Sequence, residues 1–190
     1  MHNSLFNKYR ESQAKRGHSI KVQGKVDVLA LFIATGFGTG LLPLSPGTFG
    51  SLVGLLIAYL LFSCYNADFL LLQNALILAS VIFAGVGIWS SARAEKIFNQ
   101  KDASQIVIDE VCGQIISFVF LAASLGHSGR QWRWWMIVGF ILFRLFDIFK
   151  PYPINRLQQI TGGLGVMLDD ILAGIYAAIV ISLALFLTDY

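Results

Sequence analysis

Long apolar runs constrain this chain more than any other feature, because they must be kept out of water. Six such segments lie at residues 27–42, 48–65, 69–89, 108–125, 132–149 and 168–187. Several approach the roughly 20 residues that a helix needs to cross a hydrocarbon core of about 30 Å. Only 13% of the residues are charged, whereas soluble domains carry about 25%. We therefore predict an all-α, polytopic membrane bundle of about five spans; a water-soluble bundle with a thick core is the alternative.

The first apolar segment differs from the others because it is short and rich in helix breakers. Three glycines occupy the second half of residues 27–42, and Pro43 and Pro46 follow directly. This pattern predicts a short helix that breaks, as a re-entrant element would. Residues 1–26 before it contain six cations and one acid, Glu11. We predict two parts, a basic N-terminal arm at 1–26 and a membrane-embedded domain at 27–190.

The distribution of basic residues orients the predicted spans. Cytoplasmic loops carry an excess of Lys and Arg. With the N-terminus in the cytoplasm, eleven of the fourteen basic residues fall on that side, in the arm and at 93–101 and 150–156. The same topology puts the cytoplasmic ends of several apolar segments together, and the acids of those segments lie at these ends. A multi-pass protein with a cytoplasmic-facing polar site is the prediction.

Five of the eleven acidic residues lie at these segment ends: Asp109, Glu110, Asp147, Asp169 and Asp170. Carboxylates are costly in a bilayer, by roughly 2.5–3.5 kcal/mol at its centre and less near an interface. Helix capping could account for one acid of each adjacent pair. It cannot account for Asp147, which is predicted near a helix C-terminus. Hard oxygen ligands from several helices suit Mg²⁺, so we predict that these five carboxylates bind a metal.

Two further patterns indicate an anion beside the acids. Arg144, Asp147 and Lys150 are spaced to share one helix face, either as a self-neutralising ion-pair row or with the two cations free for an anion. The segment at 44–51 leads into a helix start, where free N–H groups and the hydroxyls of Thr48 and Ser51 could hold a phosphate. The second pattern is weak alone, since Gly-Thr helix starts are common.

The sequence lacks the residues that several catalytic mechanisms require. The three histidines, His2, His18 and His127, lie outside the apolar segments, which argues against a histidine nucleophile. Neither cysteine heads a C-x₅-R loop, and no D-x-D-x-[TV] motif offers an aspartyl nucleophile. The net charge of +3 is explained by the basic arm and does not indicate nucleic acid binding. If the chain is a hydrolase, metal-activated water is the chemistry that remains.

Four ordered motifs resemble the phosphatidylglycerophosphatase A family, and the similarity covers residues 27–187. They read GTGLLPLSPGTFGS (38–51), IDEVCGQ (108–114), FRLFDIFKPYPI (143–154) and GGLGVMLDDILAGIYA (162–177). The resemblance implies an all-α enzyme of the bacterial inner membrane. Its members use Mg²⁺ to remove the phosphate of phosphatidylglycerophosphate, which leaves phosphatidylglycerol.

The resemblance implies that the five carboxylates bind Mg²⁺ or orient water. Arg144 and Lys150 are expected to clamp the phosphate, which Thr48, Ser51 and nearby backbone amides would help to cradle. The partners are then the phospholipid substrate and membrane lipid, while the sequence leaves the oligomeric state open. Two alternatives share some of these features, namely a polyprenyl-phosphate phosphatase and a cation transporter. A transporter would place its acids nearer the bilayer midplane.

Overall fold

Helices account for all the regular structure in the residues that the computed structural model describes, which are 22–65, 68–125, 132–157 and 159–188. This confirms the all-α prediction. In chain order the helices are α1 (Lys25–Ala34), a short 3-10 helix (Thr39–Leu41), α2 (Pro46–Tyr65), α3 (Phe69–Phe98), α4 (Ile108–Ile116), α5 (Val119–Leu125), α6 (Trp132–Phe149), α7 (Ile154–Leu157) and α8 (Gly163–Thr188).

Local signals set several helix ends. Helix α2 begins at Pro46, whose fixed φ suits the first helical position. The carboxylate of Asp68 accepts a hydrogen bond of 2.9 Å from the N–H of Leu71 and so caps α3. Helix α1 ends at Ala34, before Gly36, Phe37 and Gly38, which all have positive φ. The first segment is therefore a short helix that breaks, as its glycines predicted.

Three helices are long and apolar enough to cross a membrane: Pro46–Tyr65, Phe69–Phe98 and Gly163–Leu187. Their outward faces carry large apolar side chains such as Leu56, Val81 and Phe186, each more than half exposed. An apolar surface of this extent is typical of contact with lipid. The membrane character predicted from the sequence therefore has a structural basis in these helices.

The prediction of about five spans is not confirmed, because two of the apolar segments differ from a plain spanning helix. Residues 108–125 form α4 and α5, with a break at Ser117 and Phe118. Helix α4 is buried on most of its surface and packs against α2, α3 and α8. Helix α6 has the predicted bounds, 132–149, but includes three charged residues. A predominantly apolar run fits a core helix as well as a span, so the sequence pattern alone did not separate the two.

The last helix starts earlier than predicted, at Gly163 instead of Leu168. A Cβ on Gly163 would overlap the backbone of α3 at Ile88, so the glycine-rich stretch at 161–165 permits close helix packing as well as a turn. Asp169 and Asp170 consequently lie about two turns into α8, and its first turn contains no acid. Capping of a helix N-terminus therefore does not explain this pair.

Candidate active site

The predicted site residues come from four helices that meet at one end of the bundle. Asp109 and Glu110 lie in the first turn of α4, as predicted. Asp170 interacts electrostatically with both, and Asp147 with Glu110 and Asp170. The N-terminal turns of α2 complete this end, since α2 packs closely on α4. Residues far apart in the sequence thus form one polar cluster at the ends of apolar helices.

Three of the five carboxylates form a compact group. Asp109, Glu110 and Asp170 each offer an oxygen, and these oxygens lie within 4.8 Å of one another. Asp109 and Asp170 are buried, with exposed fractions of 7% and 3%, and Glu110 is intermediate. Like charges this close repel strongly unless a cation lies between them. The group therefore has the ligand type and spacing that a divalent metal ion requires.

Unpaired oxygens provide an independent test of whether a metal fits. One buried oxygen on each of Asp109, Glu110, Asp169 and Asp170 has no hydrogen-bond partner among the described residues. A buried polar atom without a partner costs about 1–3 kcal/mol, and more when it is charged. A metal ion coordinated by these oxygens would remove that cost, so the donor set fits a hard divalent cation.

The other two carboxylates are held by cations. Arg144 donates from Nη1 to Asp147 at 2.6 Å and to the hydroxyl of Ser51 at 3.2 Å. Lys150 follows the last residue of α6, has a positive φ and donates to Asp169 of α8 at 2.5 Å. Hence Arg144 and Asp147 form the predicted ion pair, but Lys150 lies beyond the end of α6, does not continue their helix face and instead joins the end of α6 to α8. Both cations border the acidic group.

Lys150 is charged in this setting. Burial by itself lowers the pKa of Lys150, but the hydrogen bond to Asp169 and the charges of the neighbouring carboxylates outweigh it, so the pKa lies above its usual value. The amine therefore remains protonated at neutral pH. A charged amine beside buried acids can balance their charge or bind an anion.

The first turn of α2 lies directly against this site. A Cβ on Gly47 would overlap Oε1 of Glu110 and lie 3.3 Å from Nη1 of Arg144. Ser51 donates its hydroxyl hydrogen to the carbonyl of Gly47 at 2.9 Å and accepts from Arg144. Thr48 lies in the same turn, half-buried. The helix start that the sequence marked as a phosphate cradle is thus adjacent to the acids.

Two glycines that the sequence reasoning missed set the distance between α4 and α8. A Cβ on Gly113 would lie 2.5 Å from the carbonyl oxygen of Asp170 and 2.6 Å from the ring of Phe143. A Cβ on Gly174 would overlap the carbonyl of Gly113. Small residues at a helix crossing allow backbones to approach closely. This contact holds the acids of α4 beside those of α8.

We expect Gly113→Ala to separate α4 from α8 and impair the site. Overpacking of this kind costs about 1–3 kcal/mol, and the free energy of unfolding should fall by that amount. Gly85→Ala is the matched control, because its Cβ would meet nothing within 4 Å. Thermal unfolding of both variants in detergent checks the prediction. Equal stability of the two variants would contradict the close-contact explanation.

Fold and site together define a class of protein: an all-helical membrane protein with a buried carboxylate centre that could hold a metal ion. Comparison with known proteins identifies the family within this class. The family model for phosphatidylglycerophosphatase A matches residues 32–185. No solved structure gives a significant match.

Three curated relatives cover most of the chain. A Bacteroides thetaiotaomicron protein, provisionally named phosphatidylinositol-3-phosphatase, is 36% identical over 156 residues, which are 82% of this chain and 93% of that protein. A phosphatidylglycerophosphatase A of Haemophilus influenzae is 37% identical over 150 residues, with coverages of 78% and 84%. The phosphatidylglycerophosphatase A of Escherichia coli is 34% identical over 149 residues, 77% of each chain. The chain belongs to the phosphatidylglycerophosphatase A family, as the four motifs predicted.

Proposed function

We propose that this chain hydrolyses phosphatidylglycerophosphate to phosphatidylglycerol and phosphate, with assistance from Mg²⁺. The observation that carries the proposal is the compact group of three carboxylates, two of them buried, beside two cations and a helix start. Such a site offers ligands for a divalent metal and charge partners for a phosphate monoester at the same place. Family membership supplies the substrate class, a phosphorylated membrane lipid.

Each residue group has a distinct part in this proposal. Asp109, Glu110 and Asp170 would hold Mg²⁺, which polarises phosphoryl oxygens and lowers the pKa of bound water. Arg144 and Lys150 would bind the phosphate oxygens, because charge-assisted hydrogen bonds to phosphate are strong.

The remaining groups would complete the site around the reacting phosphate. Asp147 and Asp169, already paired with these cations, would balance their charge or orient the attacking water. Thr48, Ser51 and the free N–H groups of the first turn of α2 would complete the phosphate cradle.

In this proposal water attacks the phosphorus directly, with no covalent enzyme intermediate. The water oxygen forms a bond to phosphorus as the bond from phosphorus to the glycerol oxygen breaks. The attacking water gives up one proton, and the glycerol oxygen takes up one proton and leaves as the alcohol of phosphatidylglycerol. Catalysis of this type relies on positioning and on electrostatic stabilisation of the phosphoryl group, which are the contributions that the buried acids and the two cations would make.

The Bacteroides relative supports a second candidate substrate, phosphatidylinositol 3-phosphate, which is also a lipid phosphate monoester. Phosphate release from that lipid, from phosphatidylglycerophosphate and from a polyprenyl phosphate, at equal mole fraction in mixed micelles, separates the candidates. We expect kcat/KM to be highest for phosphatidylglycerophosphate. A higher value for either other lipid would reassign the substrate, and no hydrolysis of any of them would favour a transporter.

We also propose that the site faces the cytoplasm, because the basic residues that favour the cytoplasmic side lie at the same end of the helices as the site. Asn155, which is exposed in the short helix α7, reports on the site end, and Asp68, which is exposed between α2 and α3, reports on the opposite end. In a Cys64→Ser background, Asn155→Cys should react with a membrane-impermeant thiol reagent only after cells are opened. Asp68→Cys should react in cells with a permeabilised outer barrier. The inverse labelling would overturn the orientation.

A further inference from the structure

A cavity of about 770 Å³ lies between the start of α1 and the last part of α3. Ligand sites commonly have volumes of roughly 300–1,000 Å³, so the size is sufficient for a small headgroup. Its wall includes Lys25, Asp27, Ile88, Trp89, Arg93 and Lys96. No residue of the candidate active site lines it. This cavity is therefore separate from the proposed phosphatase site.

The charge of the cavity favours an anion. Its wall has three cations and one carboxylate, and that carboxylate, Asp27, is bound to Arg93 at 2.6 Å. Neither Lys25 nor Lys96 forms an ion pair with any residue in the described part of the chain. Among the described residues, these two exposed lysines therefore have no ion-pair partner at the cavity.

The order of the lining residues along α3 indicates what kind of anion would fit. Helix α3 runs towards the site end of the bundle, since its Ile88 and Ala92 lie against Gly163 at the start of α8, and its apolar sequence gives way to charge there. Arg93 and Lys96 lie at that end, whereas Ile88 and Trp89 lie about 6–12 Å deeper along the helix axis. Tryptophan prefers the membrane interface. Cations at the rim above an aromatic and an aliphatic side chain match the phosphate and acyl ends of a phospholipid.

We propose that this cavity binds one anionic membrane phospholipid, with its phosphate at Lys25 and Lys96, at a position distinct from the substrate site. Basic pockets between helices near the cytoplasmic leaflet are suited to such headgroups. The basic arm is not a complementary occupant, because residues 1–21 carry five cations and a single acid. The arm would add to the attraction for anionic lipid.

Trp89 provides a direct probe of the bound lipid. The protein is reconstituted in phosphatidylcholine vesicles in which a small fraction of either phosphatidylglycerol or phosphatidylcholine has brominated acyl chains, which quench nearby tryptophan. We expect brominated phosphatidylglycerol to quench more effectively at equal mole fraction. The selective part of the quenching should be lost in Trp89→Phe. Lys25→Gln with Lys96→Gln should reduce the preference about fivefold per lysine.

Two control variants separate lipid binding at this cavity from a general effect of positive surface charge. Lys101→Gln with Arg156→Gln removes the same charge from the same end of the molecule, outside the cavity, and should keep the preference. Lys25→Arg with Lys96→Arg should also keep it. Equal quenching by the two lipids in the wild-type protein, or equal loss in both Gln pairs, would overturn the proposal.

Competition and truncation exclude other occupants. A preference abolished by millimolar inorganic phosphate would indicate a soluble anion and overturn the lipid assignment. A preference that appears only after residues 2–20 are deleted would show that the arm fills the cavity, which also overturns it. Because the readout is lipid binding, its outcome is independent of phosphatase activity.

Discussion

Asp170→Asn is expected to lower kcat for phosphatidylglycerophosphate by about three orders of magnitude, which corresponds to roughly 4 kcal/mol. Asp170 is buried beside Asp109 and Glu110, and one of its oxygens has no partner among the described residues. The substitution removes a proposed ligand charge while it keeps the side-chain volume. It also relieves repulsion among the acids, so the metal-free variant should unfold at a temperature equal to or above that of the wild type.

Asp68→Asn is the matched control for this change. Asp68 lies between α2 and α3, at the end of the bundle opposite the site. The substitution again replaces a carboxylate with an amide, and Asn caps a helix as well as Asp does. We expect near wild-type activity from it. Mg²⁺ should raise the melting temperature of the wild type and of Asp68→Asn, but not of Asp170→Asn. Full activity and an unchanged Mg²⁺ response in Asp170→Asn would remove Asp170 from the metal site.

Lys150→Met is expected to raise KM for the lipid phosphate about 10- to 100-fold, since a hydrogen bond to a charged group contributes about 1.5–3 kcal/mol. The same change leaves the carboxylate of Asp169, whose side chain is only 5% exposed, without its cation. Removing one partner of a buried pair is destabilising. Stability should therefore fall as well, by roughly 1–3 kcal/mol, which is the cost of a buried acceptor left without its partner.

A second substitution separates these two effects of Lys150. Lys150→Met with Asp169→Asn removes both charges of the pair, so stability should return towards that of the wild type. KM should stay raised relative to Asp169→Asn alone, because the phosphate still lacks its cation. Lys150→Arg should retain most of the affinity. A KM for the double variant equal to that of Asp169→Asn would mean that Lys150 is only an ion-pair partner.

The gathering of the five carboxylates at one end of the bundle could be predicted from the sequence, because it follows from the cost of acids in apolar segments and from the bias of basic residues. Acids inside apolar segments are rare and costly, so each of the five residues stood out. The bias of basic residues then put the segment ends that hold Asp109, Asp147 and Asp170 on one side. The structure brings these residues to one end of the bundle. Their roles in binding and catalysis are proposals that the variants test.

Features that depend on packing could not be read from the sequence. The break at Ser117 and the burial of α4 follow from its surroundings, because an apolar run fits a core helix as well as a span. The partner of Lys150 is Asp169 on another helix, whereas helical spacing favoured Asp147. Gly113 matters only because the backbone of α8 lies against it. Each of these features is a contact between helices, which helical periodicity does not specify.

Phosphate release from synthetic phosphatidylglycerophosphate by the purified protein, with Mg²⁺ or with a chelator, tests whether the chain is a Mg²⁺-assisted phosphatase of this lipid. We expect steady release with Mg²⁺, loss of release in the chelator, and recovery when Mg²⁺ is restored in excess. Asp170→Asn, purified in parallel, should release almost none under any of these conditions. Release that continues unchanged in the chelator would contradict the role of Mg²⁺, and no release from a folded wild-type protein with Mg²⁺ would contradict the proposed activity.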